Sequence, residues 1–219
     1  MRETTLRMEF FETYYYANVI HNVLENTMDH LGSMNSWHED REVSLFLQPY
    51  SKWSVLHDFS QYIISDLMYE TLDDVSLDAI VHDPTFDLWV DRALKHHGIE
   101  SPGFRAWLEQ KAISINESTE DNAFDYHGDL SHSGALDTLL TQLTNEVFYV
   151  LFGNRLLLAR LNAYVAGVVS RIEVVNLTEH ETSLLQKDGI PARAYIPEWA
   201  RRAVYFRDRG MCAACVIPT

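Results

Sequence analysis

Residues 136–172, LDTLLTQLTNEVFYVLFGNRLLLARLNAYVAGVVSRI, decide the fold class of this chain. Their apolar side chains recur mostly at steps of three or four residues: Leu136, Leu139, Leu140, Leu143, Val147, Val150, Leu151, Leu157, Leu158, Leu161, Val165, Val168 and Ile172. This spacing is typical of an α-helix with one apolar face. Because the stretch is longer than an ordinary globular helix, it predicts two helices with a break near Gly153 and Asn154.

The same spacing predicts helices in the N-terminal half of the chain. A first helix is expected over about residues 9–31, ending at Gly32, and a second after Pro49 and Ser51. Residues 1–172 are expected to form one mostly helical body around an apolar core. Its expected members include Trp53, Phe59, Trp89, Trp107, Leu143 and Leu161.

Two dipeptides predict further helix starts, because each places a capping residue before a proline. They are Asp83-Pro84 and Ser101-Pro102. Asp and Ser side chains accept hydrogen bonds from the first turn of a helix, and Pro is favoured at the first helical position. Each dipeptide is therefore expected to open a short helix.

Residues 116–134 differ from the rest of the body because they are polar and acidic, with few apolar anchors. This composition predicts a long exposed loop that divides the body into two helical halves. Asp125, His127, Asp129 and His132 form a ligand-rich cluster within it. No helical register fixes these side chains, so we expect solvated surface there rather than a metal site.

A turn sequence, Lys187-Asp188-Gly189-Ile190-Pro191, predicts a linker near the C-terminal end. The expected organisation is a helical N-terminal domain over residues 1–190 and a separate module over residues 191–219. The chain contains only 9 Gly and 6 Pro, which argues against a β-rich protein, since turns and strand edges use those residues. The predicted fold class is all-α.

The net charge of −15 is unevenly distributed along the chain. Residues 1–150 contain 8 Lys and Arg against 26 Asp and Glu, whereas residues 151–219 contain 9 against 6. Because phosphate binding depends on cationic side chains, the acidic part is excluded as the main nucleic-acid surface. Its charge favours solubility and leaves a protein partner for this body open. The C-terminal part has the charge to contact nucleic acid.

The use of cysteine and the distribution of apolar residues indicate the compartment. The two cysteines, Cys212 and Cys215, have no other thiol to pair with, which excludes a disulfide framework and fits a reducing compartment. The N terminus lacks the apolar run of a signal peptide. The most apolar stretch, residues 147–169, is interrupted by two arginines and two asparagines, which are unfavourable in lipid. We therefore expect a cytoplasmic protein without a membrane segment.

Residues 196–215, IPEWARRAVYFRDRGMCAAC, lead a basic helix directly into a Cys-x-x-Cys motif. Two thiolates at this spacing can hold one side of a zinc ion, and structural zinc takes four ligands. The sequence therefore reads as cut off inside a metal-binding module. Two alternatives stay open for Cys212 and Cys215: free thiols, or a redox pair. A redox pair is expected after a strand and at a helix start, whereas this pair follows a helix.

Residues 199–215 resemble the start of the HNH nuclease domain, in which a helix of the type Arg-Arg-Ala-Val-Phe-x-Arg-Asp-x-Gly leads into the first Cys-x-x-Cys zinc knuckle. The resemblance implies that the helical body is followed by the truncated start of a zinc-braced ββα-metal module. Cys212 and Cys215 would then supply half of a structural zinc site.

The same resemblance implies an activity for the complete protein: hydrolysis of DNA by a divalent metal such as Mg²⁺ and a His-activated water, in restriction or phage defence. The family's catalytic His and Asn residues and its second Cys-x-x-Cys have no counterpart in this chain. No catalytic residue is therefore assigned, and the 219-residue chain alone is expected to be inactive.

A helical projection of residues 197–209 separates an apolar face from a basic one. Trp199, Ala203 and Phe206 lie on the first, Arg201, Arg202, Tyr205 and Arg209 on the second, and Arg207 to the side. The apolar face suits packing on a zinc knuckle. Together the four arginines, Arg201, Arg202, Arg207 and Arg209, suit contact with DNA phosphates.

Both the helix and the whole chain have an alternative interpretation. The helix could be an ordinary solvated amphipathic helix. The chain could be a non-enzymatic, all-helical interaction protein with a vestigial Cys-x-x-Cys tail.

Overall fold

The computed structural model of the chain describes residues 11–73, 77–186, 190, 191 and 194–211. These residues form twelve α-helices: α1 (Thr13–Glu25), α2 (Leu31–Glu39), α3 (Ser44–Leu47), α4 (Val55–Asp73), α5 (Leu77–His82), α6 (Trp89–His96), α7 (Phe104–Gln110), α8 (Glu120–His132), α9 (Ala135–Phe152), α10 (Arg155–Val169), α11 (Glu179–Ser183) and α12 (Glu198–Arg207). Short 3₁₀ turns occur at Ile115–Glu117 and Val174–Asn176. The described part contains an isolated antiparallel bridge between Leu185 and Pro191 but no strand, which confirms the all-α prediction there.

The chain divides into two units. Unit 1 comprises residues 1–16 and 61–146, and unit 2 comprises residues 17–60 and 147–219. Most of the predicted linker, residues 187–189, lies outside the described residues. The predicted boundary between residues 190 and 191 stays a prediction.

In unit 1, α7 packs against α8 through an aromatic cluster. Phe104 and Trp107 of α7 and Tyr126 of α8 are all buried. Their ring centroids lie between 5.5 and 6.1 Å apart. The indole Nε1 of Trp107 also donates a hydrogen bond to Asp129 at 2.8 Å, which ties the two helices together at their polar edge.

The predicted long acidic loop at residues 116–134 is wrong, because most of it forms α8. Ala123, Tyr126 and Leu130 recur at helical spacing between the acidic residues, and all three are buried. The helix begins after Thr119, whose backbone N–H donates to the Asn122 side chain at 2.9 Å. A small number of apolar residues in the right register is therefore enough to bury one face of an acidic helix.

The first predicted helix is interrupted. Instead of one helix over 9–31, α1 ends at Glu25 and α2 begins at Leu31, so that Gly32 lies inside a helix. The Asn26 side chain donates to the carbonyl oxygen of Asn22 at 3.2 Å at the end of α1. Side chains of this kind compete with the helical backbone for hydrogen bonds.

Both predicted helix starts are also wrong, because neither side chain caps a helix that begins at the following proline. Asp83 accepts from the backbone N–H of Thr85 at 2.8 Å and forms a turn, and α6 begins only at Trp89. The hydroxyl of Ser101 lies 2.8 Å from that of Tyr126, and α7 begins at Phe104.

Unit 2 confirms the predicted break between two long helices. α9 ends at Phe152 and α10 begins at Arg155. Between them Asn154 caps α10, its side chain accepting from the backbone N–H of Leu157 at 3.1 Å. In the same unit, α3 contacts both α10 and α11.

A buried tryptophan organises the first half of unit 2. Trp37 is fully buried, and its ring centroid lies 4.9 Å from that of Phe59. Its Nε1 donates to Asp58 at 2.7 Å, and Arg41 donates to the same carboxylate oxygen at 2.7 Å. The carboxylate therefore anchors one aromatic and one cationic side chain.

The core prediction is confirmed for four of its six residues. Phe59, Trp107, Leu143 and Leu161 are buried, whereas Trp53 and Trp89 are half-buried. Trp89 keeps one edge at the surface, where its Nε1 donates to Glu12 at 2.7 Å. Within the described residues, none of the helices combines the length and the apolar character that crossing a bilayer requires.

Candidate nucleic-acid interface

The basic helix predicted from the C-terminal sequence is α12. It begins at Glu198 after Pro197 and ends at Arg207. Arg209 and Gly210 then take left-handed backbone conformations, with φ of 53° and 65°. The N–H of Gly210 donates back to the carbonyl oxygen of Tyr205 at 2.9 Å, a bond typical of helices that end in a left-handed residue.

None of the residues of α12 is buried. Trp199 is 44% exposed and Phe206 is 68% exposed, so much of the predicted apolar face is open to solvent. The zinc knuckle on which this face was expected to pack involves Cys212 and Cys215. Both cysteines lie outside the described residues.

The four predicted nucleic-acid-binding arginines fall into three different environments. Arg202 and Arg209 are exposed, and neither has a hydrogen-bond or ion-pair partner among the described residues. Arg201 pairs with Glu198 at 3.3 Å and donates to the hydroxyl of Tyr195. Arg207, the fourth, is half-buried.

The side chain of Arg207 is held on both sides. It donates to both carboxylate oxygens of Asp208, at 2.8 and 3.1 Å, and lies over the ring of Phe152 at 5.2 Å. Arg155 of α10 approaches the same carboxylate at 2.8 Å. Hydrogen bonds from Arg207, followed by those from Arg155, lower the pKa of Asp208 to about 2. The carboxylate therefore stays ionised and keeps both arginines bound at neutral pH.

Phe152 is the last member of an aromatic ladder in unit 2, formed by Trp53, His57, Phe148 and Phe152. Successive ring centroids are 5.0, 3.7 and 5.1 Å apart, and each pair is stacked. Burial lowers the pKa of His57 to about 4, so the imidazole is neutral at physiological pH. The ladder was not predicted from the sequence. The sequence nevertheless contains two of its pairs at i, i+4 spacing, Trp53 with His57 and Phe148 with Phe152.

A second polar cluster lies in unit 1, beside a cavity of about 470 Å³. Asp91 accepts from the Tyr126 hydroxyl at 2.6 Å and from the backbone N–H of Phe104 at 2.9 Å. Burial raises the pKa of Asp91, and these two hydrogen bonds lower it in part. Both carboxylate oxygens therefore have donors, and their hydrogen bonds join α6, α7 and α8.

Among the described residues, no group of three or more His, Cys, Asp or Glu side chains is arranged to hold a metal ion. The cluster considered in sequence analysis has other partners. Asp129 binds Trp107 and, at 3.2 Å, Lys111. Nδ1 of His132 lies 2.6 Å from the carbonyl oxygen of Gly128. The described residues thus provide no ligand set for zinc or for a catalytic divalent ion.

No protein-family model, curated protein or solved structure matches this chain. The resemblance to the HNH nucleases therefore rests on residues 199–215 alone.

Proposed function

We propose that this chain belongs to an HNH-type, metal-dependent DNA endonuclease and that α12 contacts the phosphate backbone of the DNA. One observation supports the proposal most. Arg202 of α12 and Arg209, two residues after its end, are exposed without partners among the described residues, in the segment whose sequence resembles that family. Free guanidinium groups on a helix surface are the chemistry that binds phosphate oxygens.

The four arginines have different roles in this proposal. Arg202 and Arg209 bind phosphate, and Arg201 contributes from the side of the helix that faces Glu198. Arg207 acts as a positioning residue, because its guanidinium is already bound to Asp208 and stacked on Phe152. In this proposal Arg207 attaches α12 to the rest of unit 2, and the other three arginines face the DNA.

Structural zinc would be bound by Cys212 and Cys215 together with two further ligands. A divalent ion such as Mg²⁺ would supply the Lewis acid for phosphodiester hydrolysis. Since the described residues provide neither ligand set, no step of the reaction is assigned to them. In the proposed function, the described residues form the helical body and expose α12 to the DNA.

The experiment that tests this function compares zinc content and plasmid cleavage for the complete gene product and its cysteine variants. Cys212→Ser and Cys215→Ser are expected to lose zinc and Mg²⁺-dependent cleavage while keeping the helical circular dichroism signal, because structural zinc contributes its binding free energy to its own module. Ala213→Ser, between the two cysteines, is the matched control and is expected to retain both. Full zinc content in either cysteine variant, or equal cleavage by all of them, contradicts the proposal.

One observation favours the second candidate, a non-enzymatic helical interaction protein. α12 exposes Trp199, Tyr205 and Phe206, and large exposed apolar side chains are common where proteins bind each other. The cleavage assay separates the candidates. An intact gene product that binds a protein partner but neither zinc nor DNA supports the second one.

A further inference from the structure

One face of α12 alternates aromatic and cationic side chains. Trp199, Arg202 and Phe206 follow one another at steps of three and four residues, so they are neighbours on the helix surface. Arg209 comes three residues after Phe206, just past the end of the helix. The order along this surface is therefore aromatic, cationic, aromatic, cationic. These four residues form the mixed face of α12.

The mixed face is open to solvent. All four of its side chains are exposed. Trp199 is 44% exposed and Phe206 is 68% exposed, although such large aromatic side chains are usually well buried. Tyr205 contacts the Phe206 ring edge-on, with 5.9 Å between the centroids. Among the described residues, no ring is stacked flat on Phe206, so its faces are available to a ligand.

The cations of the mixed face are also available, because the acidic side chains around them are occupied. Residues 194–211 contain two acidic residues, Glu198 and Asp208. Glu198 pairs with Arg201, and Asp208 pairs with Arg155 and Arg207. The mixed face therefore keeps its positive charge, in contrast to the chain as a whole.

The two kinds of side chain bind different parts of a nucleic acid. Guanidinium groups bind phosphate oxygens, whereas aromatic rings stack on the flat faces of bases. In a fully paired duplex the bases stack on one another, so a ring beside the phosphates reaches no base face. Proteins that bind single strands combine a cationic surface with aromatic side chains. The mixed face has this combination.

From this alternation we infer that the DNA contacted by α12 contains unpaired bases. Phe206 and Trp199 each stack on a base, and Arg202 and Arg209 bind neighbouring phosphates. The two rings are seven residues apart, about 10 Å along the helix axis, so they serve different bases. The substrate class is thus DNA with a single-stranded stretch. The inference rests on the proposed DNA contact of α12 and adds the kind of DNA that it takes.

The test measures the affinity of the chain for three DNAs of about 20 nucleotides by fluorescence anisotropy: oligothymidine, an abasic strand with the same phosphates, and a fully paired duplex. The abasic strand isolates the contribution of the bases. Phe206→Leu keeps an apolar side chain but removes the aromatic face, and Phe206→Tyr keeps the ring. Phe124→Leu, the same substitution at an exposed phenylalanine of the acidic helix α8, is the matched control.

We expect the wild type to bind oligothymidine about fivefold or more tightly than the abasic strand, because stacking on a protein ring stabilises each bound base. Phe206→Leu should weaken oligothymidine binding about fivefold or more and leave the abasic and duplex affinities within about twofold. Phe206→Tyr and Phe124→Leu should bind all three DNAs like the wild type.

Equal wild-type affinities for oligothymidine and the abasic strand overturn the inference. An equal loss of all three affinities in Phe206→Leu also overturns it, since Phe206 would then support the helix and not stack on a base. In either case, duplex binding that still depends on Arg202 leaves the proposed function intact. Binding to none of the three DNAs contradicts both the inference and the proposed function, and leaves the mixed face to a protein partner.

Discussion

The guanidinium carbon of Arg207 lies 5.2 Å from the centre of the Phe152 ring, at the end of the aromatic ladder. The same guanidinium binds Asp208, which also holds Arg155 of α10. The contact therefore connects α12 to the end of α9 and the start of α10 within unit 2. None of the residues of α12 is buried, and these contacts tie its C-terminal end to α9 and α10. Three predictions test the fold of unit 2 around α12, and a fourth tests the polar cluster of unit 1.

Asp208→Ala is expected to loosen α12, because the substitution releases both Arg207 and Arg155. Amide hydrogen exchange over residues 201–207 should accelerate about tenfold or more, since local opening then breaks fewer contacts. The matched control is Glu198→Ala, which removes the exposed ion pair with Arg201 and one exposed negative charge from the first turn of the helix. Exposed pairs contribute little, so exchange in this control should stay close to that of the wild type. Equal acceleration in both variants contradicts the role assigned to Asp208.

The buried His57 is expected to make stability depend on pH. Its pKa is 6.5 when unperturbed and about 4 in the folded protein, because burial disfavours the cation. The unfolded chain therefore binds the proton more readily. The stability contributed by the neutral ring is complete above pH 6.5 and is lost as the pH falls toward 4.

The change expected from His57 over this window is on the order of 2 kcal/mol in the free energy of unfolding, measured by urea denaturation. His57→Phe keeps a ring against Phe148 but does not titrate, so its stability should vary less over the same window. His127 is also buried with a lowered pKa and adds a change of the same sign. For this reason the difference between wild type and His57→Phe is the quantity to compare. Parallel pH profiles for the two proteins contradict the prediction.

Gly210→Ala is expected to destabilise the end of α12 more than Gly98→Ala destabilises the end of α6. The two glycines have nearly the same φ, 65° and 66°, so both variants carry the strain of a left-handed alanine, about 1 kcal/mol. A Cβ at Gly98 meets nothing within 4 Å, whereas one at Gly210 collides with the Tyr205 ring. Hydrogen exchange at each helix end should show the larger increase for Gly210→Ala. Equal increases would mean that Tyr205 moves away freely and is not held by Gly210.

Tyr126→Phe should destabilise the protein by about 1–2 kcal/mol, because it removes a hydrogen-bond donor from the half-buried carboxylate of Asp91. The control is Tyr149→Phe, which removes the same hydroxyl from a ring that is 77% exposed. Urea denaturation followed by circular dichroism measures both. The control is expected to change stability by less than about 0.5 kcal/mol. If Tyr126→Phe is equally neutral, the cluster of Asp91, Ser101 and Tyr126 does not stabilise unit 1.

Long apolar patterns were the most reliable guide to this fold. The pattern around Gly153 and Asn154 predicted both α9 and α10 and the break between them, because glycine and a capping residue coincide there. The acidic segment around α8 misled the prediction, since its carboxylates dominate the composition while its buried face consists of Ala123, Tyr126, His127 and Leu130. Composition averages over all faces of a helix, whereas burial requires only one of them.

Both predicted capping positions failed, one in a local turn at Asp83 and one through a distant contact at Ser101. Ser101 contacts Tyr126, 25 residues later in the chain, and short-range sequence patterns contain no information about such contacts. The same holds for Arg207 and Phe152, whose pairing separates one arginine of α12 from the others. The sequence therefore predicted the basic helix but not which of its cations are free.

The account depends most directly on the claim that α12 and the residues just after it contact DNA through Arg202 and Arg209. The decisive measurement is the affinity of the chain for a duplex of about 30 base pairs, by fluorescence anisotropy between about 50 and 200 mM salt. Arg202→Glu and Arg209→Glu should each weaken binding and reduce the slope of log K against log salt by about 1, because each removes one phosphate contact. Lys52→Glu, the same charge reversal at an exposed lysine of unit 2, is the control and should leave the slope unchanged. Equal losses in all three variants, or no salt-dependent binding by the wild type, would contradict the claim.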